Sequence, residues 1–200
     1  MKTNEMKLLI VAGFFGCGKT TFIIKSAKKL VKKHKEKVAI IVNDIGEIGI
    51  DDKVIQSYGL RVKELFGGCV CCQLGDDLTE TLRRVKKAYK PNIAILEPSG
   101  AADPAQLLSA VNAVRDFETF PLLTIVDATQ FMTLLSEMPI AARKVAYADT
   151  ILINKIDAVS RKRLLQVETE VKRINKNAKV YSISAHKDTN IDKVLITLVR

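Results

Sequence analysis

One octet restricts what this chain can fold into more than any other feature. Gly13-Phe14-Phe15-Gly16-Cys17-Gly18-Lys19-Thr20 follows the apolar run Lys7–Ala12 and leads into Lys19–Lys35, where Ile23, Ala27, Leu30 and Val31 recur at helical spacing. It fits G-x-x-x-x-G-K-[ST] in full, in the strand–loop–helix context that gives the motif its meaning. Glycines let the backbone curl until several N–H groups face phosphate oxygens. The helix that follows adds its positive N-terminal end. In that frame Gly13, Gly16 and Gly18 shape the loop and Lys19 reaches the β- and γ-phosphates. The Thr20 hydroxyl takes magnesium, and Thr21 contacts the α-phosphate. Cys17 stands at a variable position and is expected to be a small filler.

Such a loop belongs in an alternation of strands and helices, and the rest of the chain supplies one. The expected strands are Lys7–Ala12, Val38–Asn43, Arg61–Leu65, Asn92–Glu97, Leu122–Asp127, Thr150–Asn154 and Val180–Ile183. The expected helices are Lys19–Lys35, Asp76–Tyr89, Pro104–Val114, Thr129–Glu137, Arg161–Asn175 and Asn190–Val199. Strands such as Ile93-Ala94-Ile95-Leu96 are apolar on both faces, the mark of a parallel sheet covered by helices on each side. The expected class is α/β: a doubly wound, mostly parallel sheet, the three-layer sandwich of the P-loop NTPases. A length of 200 residues suits one such domain, 1–200.

Two further segments complete a nucleotide site. Glu97-Pro98-Ser99-Gly100 ends a strand. Its carboxylate can hold magnesium, and Gly100 can bring its amide close to a γ-phosphate. Asn154-Lys155-Ile156-Asp157 ends another strand. The Asp157 carboxylate can accept from both the ring N–H and the exocyclic amine of guanine. Adenine offers neither donor in that arrangement, and an unpaired carboxylate costs ~1–3 kcal/mol or more. Asn154 is expected to brace the loop and contact the base, and the Lys155 stem to cover one face of the ring. Ser184-Ala185-His186 follows another short strand, where backbone amides can meet the guanine carbonyl.

The cysteines are Cys17, Cys69, Cys71 and Cys72. Three close together do not form a framework spread along a secreted chain. As thiolates they suit a soft or borderline cation such as zinc and leave one tetrahedral position for water, Glu47 or a partner's residue. A redox pair or a metal-free structural loop are the alternatives. The net charge is +10, much of it on the lysines of Lys25–Lys37, which read as the wet face of an amphipathic helix. No aromatic residues interleave with those lysines as a single-strand nucleic-acid binder needs. No apolar run is long enough to span a membrane, and Met1–Glu5 is short and polar rather than secretory, so the simplest location is the cytoplasm.

At this point the chain closely resembles the CobW-like GTPases, relatives of the urease and hydrogenase nickel-insertion GTPases. The matching segments are Gly13–Thr21, Asn43–Asp51, Glu64–Cys72, Glu97–Pro104, Thr124–Ala128 and Asn154–Asp157, in family order. Gly67-Gly68-Cys69-Val70-Cys71-Cys72 is the most diagnostic. The resemblance implies a GTPase that handles or delivers a metal ion, or assists a metal- or cobalamin-dependent enzyme. It also implies that Asn43–Asp51 is the first switch, where Asp44 or Glu47 orients water or helps bind metal. Longer relatives carry a second, C-terminal domain, often rich in histidine, whereas this chain has only His34 and His186. Some relatives place an acidic ligand before the switch asparagine, where this chain has Val42.

The expected activity is therefore hydrolysis of GTP to GDP with Mg2+, slow without a partner, with Lys19, Asp44 and Glu97 as the catalytic set. Cys69, Cys71, Cys72 and Glu47 would carry Zn2+ or Co2+ for a client metalloprotein or cofactor enzyme. Relatives often pair through nucleotide, so a nucleotide-dependent homodimer is expected. The first rival is a docking switch or enzyme activator whose cysteines bind no ion. The second is a small-molecule kinase, against which the guanine reader argues.

Overall fold

The computed structural model describes residues 6–42, 61–64, 76–112, 117–119 and 121–199. These fall into two compact units: Met1–Ile10 with Ala27–Phe120, and Val11–Ser26 with Pro121–Arg200. The described strand pairings are parallel, and the chain has the expected α/β P-loop fold.

In the first unit the strands are the start of β1 (Lys7–Gly13), β2 (Val38–Val42), β3 (Arg61–Glu64), β4 (Ile93–Glu97) and the two-residue β5 (Glu118–Thr119). Their order is β3-β2-β4-β1, with β5 on the other side of β1. Lys7 is in register with Ile93 and Glu118, and Val42 with Glu97. Every residue of β2 and β4 is buried, as runs apolar on both faces require. The helices here are the end of α1 (Lys19–His34), α2 (Asp76–Tyr89) and α3 (Pro104–Asn112). Two helices end without glycine: Lys35 and Lys90 adopt φ of 58° and 47°, and the Glu36 N–H closes on the Leu30 carbonyl. The Asp103 carboxylate accepts from the Ala105 and Gln106 N–H groups and so starts α3.

In the second unit the end of β1 pairs with β6 (Leu123–Asp127), then β7 (Thr150–Asn154) and β8 (Lys179–Ser182). The helices are the start of α1, α4 (Phe131–Glu137), α5 (Pro139–Ala146), α6 (Arg161–Ile174) and α7 (Ile191–Val199). Val126, Ile151 and Ile153 of the sheet pack with Phe131, Val145, Leu164, Val167 and Val171 of α4, α5 and α6. On α1, Phe22 and Ile23 are 0% and 1% exposed. Truncating such an aromatic costs ~3–5 kcal/mol, so the first turn of α1, with Lys19 and Thr20, is firmly seated.

Most expected elements occur within a residue or two of their expected ends. The expected strand end at Asn43, that at Leu65, and the helix end at residues 113–114 lie outside the described residues. One helix has no counterpart among the expected elements. The expected helix Thr129–Glu137 stops before Met138-Pro139, yet Pro139 occupies the first turn of α5, where its missing N–H has no helical partner to lose. The expected strand Val180–Ile183 runs one residue earlier, as Lys179–Ser182.

Candidate nucleotide site

The glycine loop Gly13–Thr20 and the segments expected to read guanine, Asn154–Asp157 and Ser184–His186, lie in the second unit. The loop's shape demands glycine at two positions. Gly13 has φ +152°, and a Cβ there would stand 2.6 Å from the Ile125 carbonyl oxygen and 2.7 Å from the Cys17 Sγ. Cys17, 2% exposed, fills the space beneath the loop, as a small filler should. Gly18 has φ +96°, and a Cβ there would run into the Asn154 Nδ2. Lys19 is 6% exposed and folded back over the loop, its Nζ donating to the Phe14 carbonyl at 3.0 Å. An ammonium held against the loop rather than in solvent is poised for a phosphate oxygen. Half-buried Thr20 and exposed Thr21 occupy the first turn of α1, which carries no acidic residue to oppose an anion.

Asn154 joins this loop to the segment Ser184-Ala185-His186. It ends β7, in register with Asp127 at the end of β6, and is 2% exposed. Its Nδ2 donates to the Cys17 carbonyl at 2.8 Å, and its Oδ1 accepts from the Ala185 N–H at 2.8 Å. One buried amide therefore ties the phosphate loop to the Ser184-Ala185-His186 segment, the bracing role read from the sequence. The Ala185 N–H, expected to face a guanine carbonyl, is engaged by Asn154 here.

Lys155 takes a left-handed conformation, φ 64°. Its Nζ pairs with Asp127 Oδ2 at 2.6 Å, while Asp127 Oδ1 accepts from the N–H and hydroxyl of Thr129 at 2.8 and 2.6 Å. The direction of the Lys155 stem is thus fixed by a carboxylate only 3% exposed. Asp157 follows in a short 3-10 turn, Ile156–Ala158. The Ser184 hydroxyl donates to its carboxylate and holds its pKa below the usual value, with Lys187 and His186 adding to the effect against some desolvation. Asp157 is therefore an ionised, acceptor-only group at neutral pH, as a reader of two N–H donors must be.

Glu97 and Gly100 belong to the first unit. Glu97 ends β4 and is 7% exposed. Gly100 is buried in a turn where the Ala102 N–H donates to the Ser99 carbonyl at 3.0 Å. Asp44, Glu47, Cys69, Cys71 and Cys72 lie outside the described residues. Among the described residues no cluster of three histidine, cysteine or acidic side chains suits a metal ion. No helix among them is long and apolar enough to cross a membrane.

Sequence reasoning missed several supporting residues. Asp127, the anchor of Lys155, carried a usable signal: it ends an apolar strand, as Glu97 does. Lys25, whose Nζ donates to the His186 carbonyl at 2.6 Å, reads in the sequence only as part of a wet face. Lys144 is 3% exposed with its Nζ 5.5 Å from the Phe14 ring centroid, and it lies on the helix that Pro139 concealed. Lys187 approaches Asp157 at 3.9 Å and had no sequence signal beyond its charge.

The family model described as "CobW/HypB/UreG, nucleotide-binding domain" matches residues 7–182. The zinc chaperone YjiA of Escherichia coli is 29% identical over 197 residues, covering 94% of this chain and 60% of its own length. The chain thus spans less than two thirds of that relative. A crystal structure of the hydrogenase maturation factor HypB from Archaeoglobus fulgidus superposes with a TM-score of 0.71 at 15% identity, covering 98% of this chain and 89% of that one. The Zn(II)-bound YjiA GTPase from E. coli superposes with a TM-score of 0.67 at 24% identity, covering 90% and 58%.

Proposed function

The chain belongs to the CobW/HypB/UreG family of nucleotide-binding domains, and we propose that it binds guanine nucleotides, hydrolyses GTP to GDP and couples the cycle to handling of a zinc- or cobalt-class ion. The observation that carries the nucleotide part is the Asn154 clamp. A single buried side chain bonds the phosphate loop at Cys17 and the base-reading loop at Ala185, with ionised Asp157 three residues on. A polyphosphate on the loop amides and a guanine on Asp157 are then ends of one ligand.

Several features support the roles within that reading. The steric demands at Gly13 and Gly18, against Ile125, Cys17 and Asn154, hold the loop tightly on the structure beneath it, and its glycines let the backbone curl toward an anion. Lys19 neutralises phosphate charge, the main demand of phosphoryl transfer. Thr20 offers a hard oxygen donor of the kind magnesium takes, and Glu97 is the carboxylate donor proposed with it from the sequence. Bound magnesium would neutralise phosphate charge. Asp44 is the proposed water-positioning residue. Cys69, Cys71 and Cys72, with Glu47, are the proposed cargo site, a thiolate set suited to zinc. The zinc chaperone among the relatives supports a metal cargo, which would pass to a client metalloprotein or cofactor enzyme. A nucleotide-dependent homodimer in the cytoplasm completes the proposal.

Calorimetry with GDP, a GTP analogue and ADP, plus phosphate release with magnesium, tests the enzymatic part. Guanine preference and release abolished by Lys19→Ala are expected. Absence of release with magnesium and the client defeats it. Zinc and cobalt titration of the GDP and GTP-analogue forms, with Cys71→Ser as control, tests the cargo part. Absence of thiolate-dependent binding favours the docking switch instead.

A further inference from the structure

The Asp157 carboxylate has a cationic neighbour that the proposed reading does not use. Lys187 sits in a loop whose course is tightly determined. Ser184 and Thr189 exchange backbone hydrogen bonds at 3.3 and 3.0 Å and close the loop at its base. Ala185 is held by Asn154 at 2.8 Å, and the His186 carbonyl by Lys25 at 2.6 Å. The Lys187 N–H donates to the Ser184 Oγ at 3.0 Å, which leaves that hydroxyl its proton to give to Asp157. With the main chain so constrained, the flexible Lys187 stem carries its Nζ to 3.9 Å from Asp157 Oδ2, and 62% of that side chain is exposed.

A guanine brings two donors to this carboxylate, its ring N–H and its exocyclic amine. Hypoxanthine brings only the ring N–H. In a site whose carboxylate has no other partner, the uncovered oxygen penalises the inosine nucleotide roughly 5- to 150-fold. Here the ammonium group can close from 3.9 Å to hydrogen-bonding distance by a change of rotamer, with no movement of the loop.

We propose that Lys187 is a specificity residue of this site: it covers the Asp157 oxygen that a base lacking the exocyclic amine leaves bare, so that inosine nucleotides bind alongside guanosine nucleotides. This rests on the reading of Asp157 as the guanine acceptor. Adenine is still excluded, because its ring nitrogen at that edge is an acceptor facing a carboxylate, and a lysine beside the carboxylate does not supply the missing ring N–H.

The test is calorimetric titration of the full chain, and of its Lys187→Met and Lys187→Arg variants, with GDP, IDP and ADP. The expected wild-type GDP-over-IDP preference is under about tenfold. Lys187→Met should widen it at least about fivefold, chiefly by weakening IDP, and Lys187→Arg should keep it narrow, since both cations donate to a carboxylate. A preference unchanged in Lys187→Met, or equal loss of GDP and IDP, overturns the proposal. Equal binding of ADP and GDP by the wild type overturns the guanine reading itself, a separate failure. Unchanged far-UV circular dichroism and melting temperature are expected of a substitution at so exposed a side chain; a variant that melts lower is replaced in the comparison by Lys187→Gln, on which the same criterion falls.

Discussion

Substituting Asn154 by alanine should damage two properties at once, stability and nucleotide affinity. Both partners of its amide are sequestered: Cys17 is 2% and Ala185 1% exposed. Alanine leaves the Cys17 carbonyl and the Ala185 N–H without their 2.8 Å partner. Each such loss costs ~1–3 kcal/mol, so about 2–6 kcal/mol is expected in all. For a chain of this size 1 kcal/mol shifts the melting temperature by ~2–4 °C, which gives a fall of roughly 4–24 °C. The affinity loss has a different origin: nucleotide must then order two loops that Asn154 holds ready, and a 10- to 100-fold weaker GDP affinity is expected for an ordering cost of ~1.4–2.7 kcal/mol. The two effects separate in a thermal-shift series. GDP at 100 times the wild-type Kd adds ~2.7 kcal/mol to the wild type, but the same concentration adds only ~0.4–1.4 kcal/mol to the variant. Asn154→Asp keeps the acceptor for Ala185 but sets a carboxylate against the Cys17 carbonyl, so it should be at least as damaging. A variant that melts within 2 °C of wild type, on the ~2–4 °C per kcal/mol scale, and binds GDP unchanged would refute the clamp.

Further outcomes follow from the same geometry. Gly18→Ala, whose Cβ would meet the Asn154 Nδ2, should cost less in an Asn154→Ala background than alone; a denaturation double-mutant cycle reads the coupling, ~0.5–3 kcal/mol for residues in contact. Asp127→Ala removes the Lys155 anchor and an acceptor of two Thr129 donors, so a loss of ~2–4 kcal/mol is expected in urea unfolding, with several-fold weaker GDP binding. Ser184→Ala removes the principal cause of the depressed Asp157 pKa. Asp157's contribution is complete above its unfolded value and is lost as pH falls through the lower folded one. Without the hydroxyl the folded value rises toward the unfolded one, so the contribution is smaller and its loss is complete at a higher pH, as a carboxyl NMR titration can follow. Lys19→Met should weaken GDP roughly 10- to 150-fold by calorimetry, the worth of a charge-assisted hydrogen bond, while leaving the fold intact.

What the sequence disclosed and what it withheld divide along a physical line. The phosphate loop was readable because its chemistry is local: glycines, a lysine and a helix start must be consecutive to work. The buried strands were readable because a covered parallel strand is apolar throughout, and the strand at Thr150–Asn154 has the expected limits. The clamp was only half readable. That Asn154 would brace a loop follows from its place at a strand end, but its two partners lie 137 and 31 residues away, and only the fold brings them together. Asp127, Lys25 and Lys187 act through partners equally remote in sequence, and a lone charge in a sequence looks the same whether it faces water or a carboxylate. The α5 helix was lost to a rule with two meanings: proline stops a helix from within and starts one at its first turn. The residues proposed to bind nucleotide directly were thus accessible from pattern, whereas most of the contacts that hold them in place were not. A variant series confined to the phosphate-loop motif would therefore leave the supporting contacts unprobed, and Asn154, Asp127 and Lys187 test those.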